Sequence, residues 1–478
     1  MRHPTTPSAP ERARSRPGPR AGRAGRGARR QERRGDRGTV LIVTMWVLIV
    51  LAGMVLVLAQ AMRTEGACSA NHAATQQAIA IENGAIQYVL ANLDGLSGQA
   101  PTEANMLCQG VPVGNGAFWL IRPDHEDGRQ EVYGVVGESS KVNLNTAPLE
   151  VLSALPGMTP ETAAAILDWR DSDSDLSVGG AESEYYLLLP DPYECKDAPL
   201  ETVEELLLVK LMSRDLLLGE DTNRNGRLED NENDADETDP ADNRNGELDA
   251  GISELVTVYS AESNVTATGS QRTNVSRAGT RDLSNLLRGS VSQERLEDVV
   301  RRARLGRPFQ NILDFYYRTG MTIEEFQPIA DRVTTSNDRT LRGLINVNTA
   351  PKQVLLCLPG LEESDVSALI SARSADNANR SNIAWVAEAL PQEKAVGIAS
   401  YLTTRSYQFS ADIVSVAGNG RAFRRCRIVV DARNSPPRVI YRQDWTSLGW
   451  PLPQEILDEL RSGTALEDVL DATYQETR

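Results

Sequence analysis

Apolar residues are densest at 39–62, "TVLIVTMWVLIVLAGMVLVLAQAM", a run of twenty-four without a charge. At about 1.5 Å rise per residue such a helix spans ~36 Å, enough to cross a bilayer with some tilt. The run is too long for the apolar core of a secretory signal, and no small-residue cleavage site follows it. The pattern then changes without stopping. Ile79, Ile86, Val89, Leu90 and Leu93 recur at helical spacing, no proline interrupts 63–93, and Asp94–Gly95 ends the run. One helix of about 55 residues is expected, its first half in lipid and its second half packed on a domain by an apolar stripe.

Short alternating segments flank the middle of the chain. Phe118–Arg122 and Val132–Val136 read as strands separated by the turn-rich "PDHEDG". Residues 408–432 read as a hairpin around Gly418–Asn419–Gly420, and 438–445 as an added edge strand. After Trp450 the pattern is helical and charged.

Between the strands, helical patterning dominates and repeats. "VNLNTAPLEVLSALPGMTPETAAAILDWR" (142–170) matches "INVNTAPKQVLLCLPGLEESDVSALISAR" (345–373). The shared skeleton is NxNTAP, a helix, LPG, and a second helix ending in Arg. Asn145 or Thr146 is expected to cap the first helix, with Pro148 in its opening turn, and Asn348, Thr349 and Pro351 repeat the arrangement. Gly157 and Gly360 permit the tight turn between helices. Weaker echoes, 201–220 before 255–266 and 308–338 before the second NxNTAP, suggest two tandem helical modules, 141–265 and 300–400.

The repeated unit resembles the helix-hairpin-helix motif, whose sharpest implication is DNA binding. Charge argues against it. The first 37 residues hold twelve Arg against three acidic residues, so the formal net charge of −16 leaves about −25 on the remainder. Thr159 and Glu362 stand where a second, phosphate-gripping glycine would be, and Glu362–Glu363 would oppose a phosphate. A packing unit, with no nucleic-acid partner, is the expectation.

The N-terminal order, a basic leader ending in glycine, a long half-apolar helix and then a small antiparallel sheet, resembles type IV pilin-like proteins. Gly38 matches the glycine after which prepilin peptidase cuts, making Thr39 the first mature residue. Pilins carry glutamate at mature position five, where it pairs with the N-terminal amine of the subunit above. Here that position is Val43, as suits a subunit with none above it. Together with "KVNLNTAP" after the first strands and "INVNTAP…LPG" before the last, these elements resemble type II secretion system protein K, the large minor pseudopilin, over residues 38 to about 445. The resemblance implies an α+β fold: a pilin-like helix and sheet with a large all-helical domain inserted, containing the two helix-hairpin-helix-like (SAM-like) modules. The segments would be a cleaved leader (1–38), a transmembrane half-helix (39–62), the soluble half-helix with first strands (63–140), the insert (141–400), returning strands (401–450) and a helical tail (451–478). It also implies a place at the pseudopilus tip with minor pseudopilins of the I and J types. The arginines before Thr39 keep the N-terminus cytoplasmic and the body periplasmic, on a single pass of the inner membrane.

One further motif belongs to neither repeat. "DTNRNGRLEDNE" (221–232) has the register of a twelve-residue calcium loop. Asp221, Asn223, Asn225, the Arg227 carbonyl, Glu229 and Glu232 fall at positions 1, 3, 5, 7, 9 and 12, with Gly226 at the turn. A hard Ca²⁺ ion needs about seven oxygens at once, and Glu232 can supply two. An entering helix is expected over 201–218. No exiting helix is expected, because Pro240 breaks it. A second "NRNG" (243–246) is degenerate, with Ala241 and Ile252 at its ends, and Asp239, Asp242, Asp249 or Glu254 as possible substitutes. Residues 1–37, rich in Arg, Gly and Pro, carry too little apolar material to form a core and are expected to be disordered.

Nothing points to catalysis. Cys68, Cys108, Cys195, Cys357 and Cys426 show no zinc-type spacing, and His3, His72 and His125 are the only histidines. No nucleophile–base pair or phosphate-binding loop appears. The competing reading is a membrane-anchored DNA receptor of the competence type, which would have a basic ectodomain and lack the long insertion.

Overall fold

The computed structural model describes residues 36–102, 105–123, 132–235, 237–238, 240, 242–375 and 380–470. The chain divides into two units, residues 1–68 and 69–478. Helix α1, Asp36–Leu93, begins in the first and ends in the second. In the first unit its apolar side chains are exposed, Val40, Trp46 and Leu58 each by more than 60%. This is the one helix among the described residues long and apolar enough to cross a membrane.

In the second unit α1 buries Ala74, Ala78, Ile81, Ala85, Ile86, Val89 and Leu93. Ile79 and Leu90, expected in that stripe, are only partly buried. The stripe is rotated toward the small residues Ala74, Ala78 and Ala85, which let the helix lie close to a sheet. Glu82, fully buried on the same face, pairs with Arg424 at 3.3 Å and Arg442 at 2.6 Å.

The strands follow in chain order. β1 (Val111–Val113) and β2 (Gly116–Arg122) form an antiparallel hairpin, turned at Gly114 with φ +59°. β3 (Val132–Tyr133) pairs with β2, and β4 (Val136–Gly137) follows. The expected turn "PDHEDG" lies, but for its first residue, outside the described residues.

The insert then holds three units with one plan. The first runs from β5 (Val142–Asn143) through α2 (Leu149–Ser153), α3 (Pro160–Arg170), α4 (Ser183–Tyr186) and α5 (Arg214–Leu218) to β6 (Val256–Thr257). A short strand β7 (Ala261–Ser263) intervenes. The second unit runs from β8 (Thr273–Asn274) through α6 (Thr280–Leu287), α7 (Gln293–Leu305), α8 (Ile312–Thr319) and α9 (Ile323–Phe326) to β9 (Val333–Thr334), and β10 (Thr340–Arg342) pairs back with β7. The third runs from β11 (Ile345–Asn346) through α10 (Lys352–Leu356), α11 (Glu363–Ser374), α12 (Val386–Ala389) and α13 (Gln392–Ile398) to β12 (Leu402–Thr403).

In each unit the first and last strands close a two-residue parallel ladder. The insert is therefore not all-helical, a correction to what the resemblance implies, and it contains three such units rather than two. Asn143, Asn274 and Asn346 play the same part in all three. Each side-chain oxygen accepts the N–H two residues on at 2.9–3.0 Å, and each backbone carbonyl accepts the N–H of Ala147, Ala278 or Ala350. Arg170, Arg307 and Arg373 then donate to the carbonyls of those same alanines at 2.6 Å.

The expected helix caps are replaced by another use of the asparagines. Pro148 and Pro351 stand at the N-caps without side-chain bonds. Asn145 instead exchanges two hydrogen bonds with Leu200, and Asn348 reaches the Arg380 and Thr404 carbonyls. These residues pin distant loops, which spacing alone does not reveal. Asn274 holds its turn with the same geometry but is only partly buried, so Asn274→Ala is expected to lower stability by about 0.5–1.5 kcal/mol, read as a shift of the urea midpoint.

The chain returns to the main sheet as β13 (Gln408–Val416), β14 (Phe423–Asp431) and β15 (Arg438–Asp444). Strand order is β1–β2–β13–β14–β15, so β15 is an edge as expected, and the β13–β14 turn falls at Gly418–Asn419–Gly420. Alternation divides the sheet between two cores. Phe118, Leu120, Phe409, Ile413 and Ile428 face α1. Trp119, Ile121, Val414 and Val416 face the tail, where α14 (Gln454–Ser462) and residues 466–470 supply Ile456, Leu457, Leu460, Val469 and Leu470. That double cover explains why all nine residues of β13 are buried.

Candidate metal centre

The loop at 221–232 follows α5. The expected entering helix over 201–218 is broken: Glu204–Leu208 is a 3-10 turn, Leu211 has φ +65°, and Ser213 caps the separate α5. Val203, Leu206 and Val209 face the core from the turn and Leu217–Leu218 from the helix.

Within the loop the residues singled out by spacing converge. Asp221 accepts the N–H groups of Asn225 (2.9 Å) and Gly226 (3.0 Å), one on each oxygen. The Asn223 and Asn225 side-chain oxygens accept the N–H groups of Asn225 (2.9 Å) and Arg227 (2.8 Å). Glu229 receives the Asn223 and Asn225 amides, both at 2.9 Å. Glu232 accepts the Glu229 N–H through Oε2 at 2.9 Å, while its Oε1 is buried without a partner. Gly226 turns the chain with φ +69°, and Arg224 shares the left-handed region at +56°. Arg227 enters the network through its backbone N–H.

Electrostatics favour a cation. Burial pushes the Glu232 carboxyl up to about 8, with Asp221, Glu229 and Glu220 adding repulsion, against the donated Glu229 N–H. Burial likewise raises Asp221 to about 6, against two backbone N–H groups and Arg425. The oxygen-only donor set and the orphaned Glu232 oxygen fit a hard ion such as calcium. The linkage has a definite sign. Both groups hold protons more tightly folded than unfolded, so they stabilise at low pH and lose that contribution as pH rises from about 4 to 8. In chelator, thermal unfolding should therefore show their contribution falling between pH 5 and pH 8, and added calcium should raise Tm more at pH 8 than at pH 5.

The second loop is joined to the first but built differently. Glu220 accepts the N–H groups of Asn243 (3.3 Å) and Asp249 (3.2 Å), and Asn243 donates to Asp249 at 2.8 Å. Asp242 accepts the Asp234 and Arg244 N–H groups. Asp239 and Ala241 lie outside the described residues. Glu254 is not free to serve this loop. It pairs with Lys141 at 2.9 Å and with Arg427, whose charges hold its carboxyl well below the usual range despite burial.

Two residues that sequence reasoning missed tie the first loop to the sheet. Arg425 on β14 is fully buried. It donates to the carbonyls of Asn223 (2.7 Å) and Arg224 (2.5 Å) and grips Asp412 of β13 at 2.5–3.2 Å. Trp445 lies 4.9–5.2 Å from the guanidinium groups of Arg224, Arg425 and Arg427. The available signal was three arginines within the five residues of 423–427, in a strand with both faces covered. The Gly38–Thr39 junction belongs to the other unit, within the first turn of α1.

Comparison with known proteins bears on residues 138–218, which match the family model for type II secretion system (T2SS), protein K, first domain. The resemblance drawn from the NxNTAP and LPG elements holds for that segment. The crystal structure of the GspK–GspI–GspJ complex from the enterotoxigenic Escherichia coli type 2 secretion system is similar at 12% identity and a TM-score of 0.37, over 77% of this chain and 96% of that one. The search among curated proteins gave no match.

Proposed function

We propose that the chain is a non-catalytic minor pseudopilin of a type II secretion system, placed at the pseudopilus tip and supporting protein export across the outer membrane. The match of residues 138–218 to the protein K family carries this reading. The long apolar helix ahead of a small antiparallel sheet supports it. In this account prepilin peptidase cuts after Gly38, and 39–62 anchors the subunit in the inner membrane. The basic leader stays cytoplasmic and the body lies in the periplasm. I- and J-type minor pseudopilins are the partners, and the bulk of the insert prevents a further subunit from stacking above. Calcium in the 221–232 loop would fasten the insert to the sheet where Arg425 meets it. Deleting the gene should abolish export of the system's substrates, with restoration by the intact chain; undiminished export from the deletion strain would refute the role.

One observation favours the DNA-receptor reading. Residues 261–342 hold thirteen Arg against ten acidic residues, so the negative charge is concentrated elsewhere. Arg277, Arg281, Arg288, Arg295, Arg301 and Arg304 are exposed there. Tight, salt-sensitive binding of duplex DNA, lost on neutralising Arg281 and Arg288, would support that alternative.

A further inference from the structure

Three potential ligand side chains meet in the first unit of the insert, outside the 221–232 loop. A carboxylate oxygen of Glu182, the Cys195 sulfur and a carboxylate oxygen of Asp197 all lie within 4.8 Å of one another. Local structure positions each of them. Glu182 occupies the N-cap of α4, yet its side chain makes no cap bond. An oxygen that would ordinarily accept an orphan N–H of the helix is directed elsewhere. Cys195 is tied to the same turn, its N–H donating to Ser183 Oγ at 2.9 Å. Asp197 takes φ +49°, a left-handed step that aspartate tolerates and that brings its carboxylate back beside the thiol.

The group is buried and its hydrogen bonding is incomplete. Glu182 and Cys195 are each 7% exposed. Glu182 Oε1 and Asp197 Oδ1 are buried without a hydrogen-bond partner. A carboxylate oxygen kept from water with no donor carries a desolvation penalty, and a bound cation removes it. The neighbouring lysines are engaged elsewhere. Lys196, beside Cys195, pairs with Glu205 at 2.8 Å, and Lys210 donates to the Gly179 and Gly180 carbonyls.

The donor set selects the ion. Calcium takes about six to eight oxygens, which three side chains with a sulfur among them do not supply. A thiolate with two carboxylates suits zinc, which binds Cys sulfur at about 2.3 Å and carboxylate oxygen at about 2.0–2.2 Å in a tetrahedron. Those lengths set ligand atoms about 3.5 Å apart, so the three need close by no more than about 1.3 Å around the ion.

We propose that Glu182, Cys195 and Asp197 bind a zinc ion, with the fourth position left to water. Binding releases the thiol proton to solvent and joins sulfur to metal as the thiolate. The ion clamps the start of α4 to the 195–197 segment, a cross-link made without a disulfide. Cysteine spacing did not reveal it, because a single cysteine takes part and Glu182 reaches it only through the fold.

Cobalt(II) is the probe, because it occupies zinc sites and a thiolate ligand gives it a charge-transfer band in the near ultraviolet. The full chain in detergent, with the 221–232 loop disabled by Asp221→Asn and Glu232→Gln, should bind a single equivalent of cobalt with that band. Zinc should abolish the band, release a proton and raise Tm, and calcium should do none of these. Adding Cys195→Ser should remove the band. Adding Glu182→Gln or Asp197→Asn should each weaken cobalt binding by about ten-fold or more. Cys68→Ser with Cys108→Ser should leave it unchanged. The two carboxylate variants keep the test decisive where Cys195→Ser does not fold. The proposal is overturned if the loop-disabled chain shows no band, if the band survives Cys195→Ser, or if both carboxylate variants bind cobalt as tightly as their parent.

Discussion

Arg425→Ala should destabilise the body by about 3–5 kcal/mol, because it strips the partner from a buried carboxylate and leaves the charge uncompensated. Asp412 is about nine-tenths buried and receives three of the Arg425 contacts. The same guanidinium satisfies the carbonyls of Asn223 and Arg224, so two acceptors of the 221–232 loop are orphaned together. The loss should therefore appear twice: as a lower urea midpoint, and as weaker calcium stabilisation of whatever folded protein remains. Arg425→Lys should recover only part of either, since an ammonium cannot bridge a carboxylate and two carbonyls with a planar fork. Unchanged stability in Arg425→Ala would mean that the sheet does not hold the loop through this residue.

The second large effect concerns the loop itself. Asp221→Ala combined with Glu232→Ala removes the first and last positions of the register and the most deeply buried carboxylates in it. With calcium at about a hundred times its dissociation constant, an occupied site contributes about 2.7 kcal/mol. The double variant should lose that increment on calcium addition. In chelator it should be no less stable than the parent at pH 8, because the charges it removes repel one another there. Thermal unfolding with and without calcium measures both. An undiminished calcium response would show that the loop is a hydrogen-bonded turn and not an ion site.

The features legible in the sequence were those set by local spacing. The 39–62 run, the continuing helix to Leu93, the β13–β14 turn and the edge strand β15 each follow from periodicity or turn chemistry within a short window. So does the convergence of Asp221, Asn223, Asn225, Glu229 and Glu232, which Gly226 turns toward one another. What escaped depends on distant partners. The second unit begins "TNVSRAG", keeping only the asparagine and the alanine of NxNTAP, so the residues that make its turn survive while the signature does not. Asn145 and Asn348 looked like helix caps because a cap is the local use of asparagine, whereas they bind loops 55 and 32 residues away. The apolar density of 201–218 suggested one helix because composition does not show the left-handed Leu211 that breaks it. Glu82 and Arg425 were invisible as core residues, since each is buried only by a charge brought from another element.

The proposed function requires this chain to assemble with I- and J-type minor pseudopilins as the terminal subunit. Native mass measurement of the full-length chain, co-expressed with both and extracted in detergent with calcium present, tests it most directly. A complex holding one copy of each is expected, to which no second copy of this chain adds. A chain that stays alone, with calcium and without, while the I- and J-type proteins pair with each other, would contradict it.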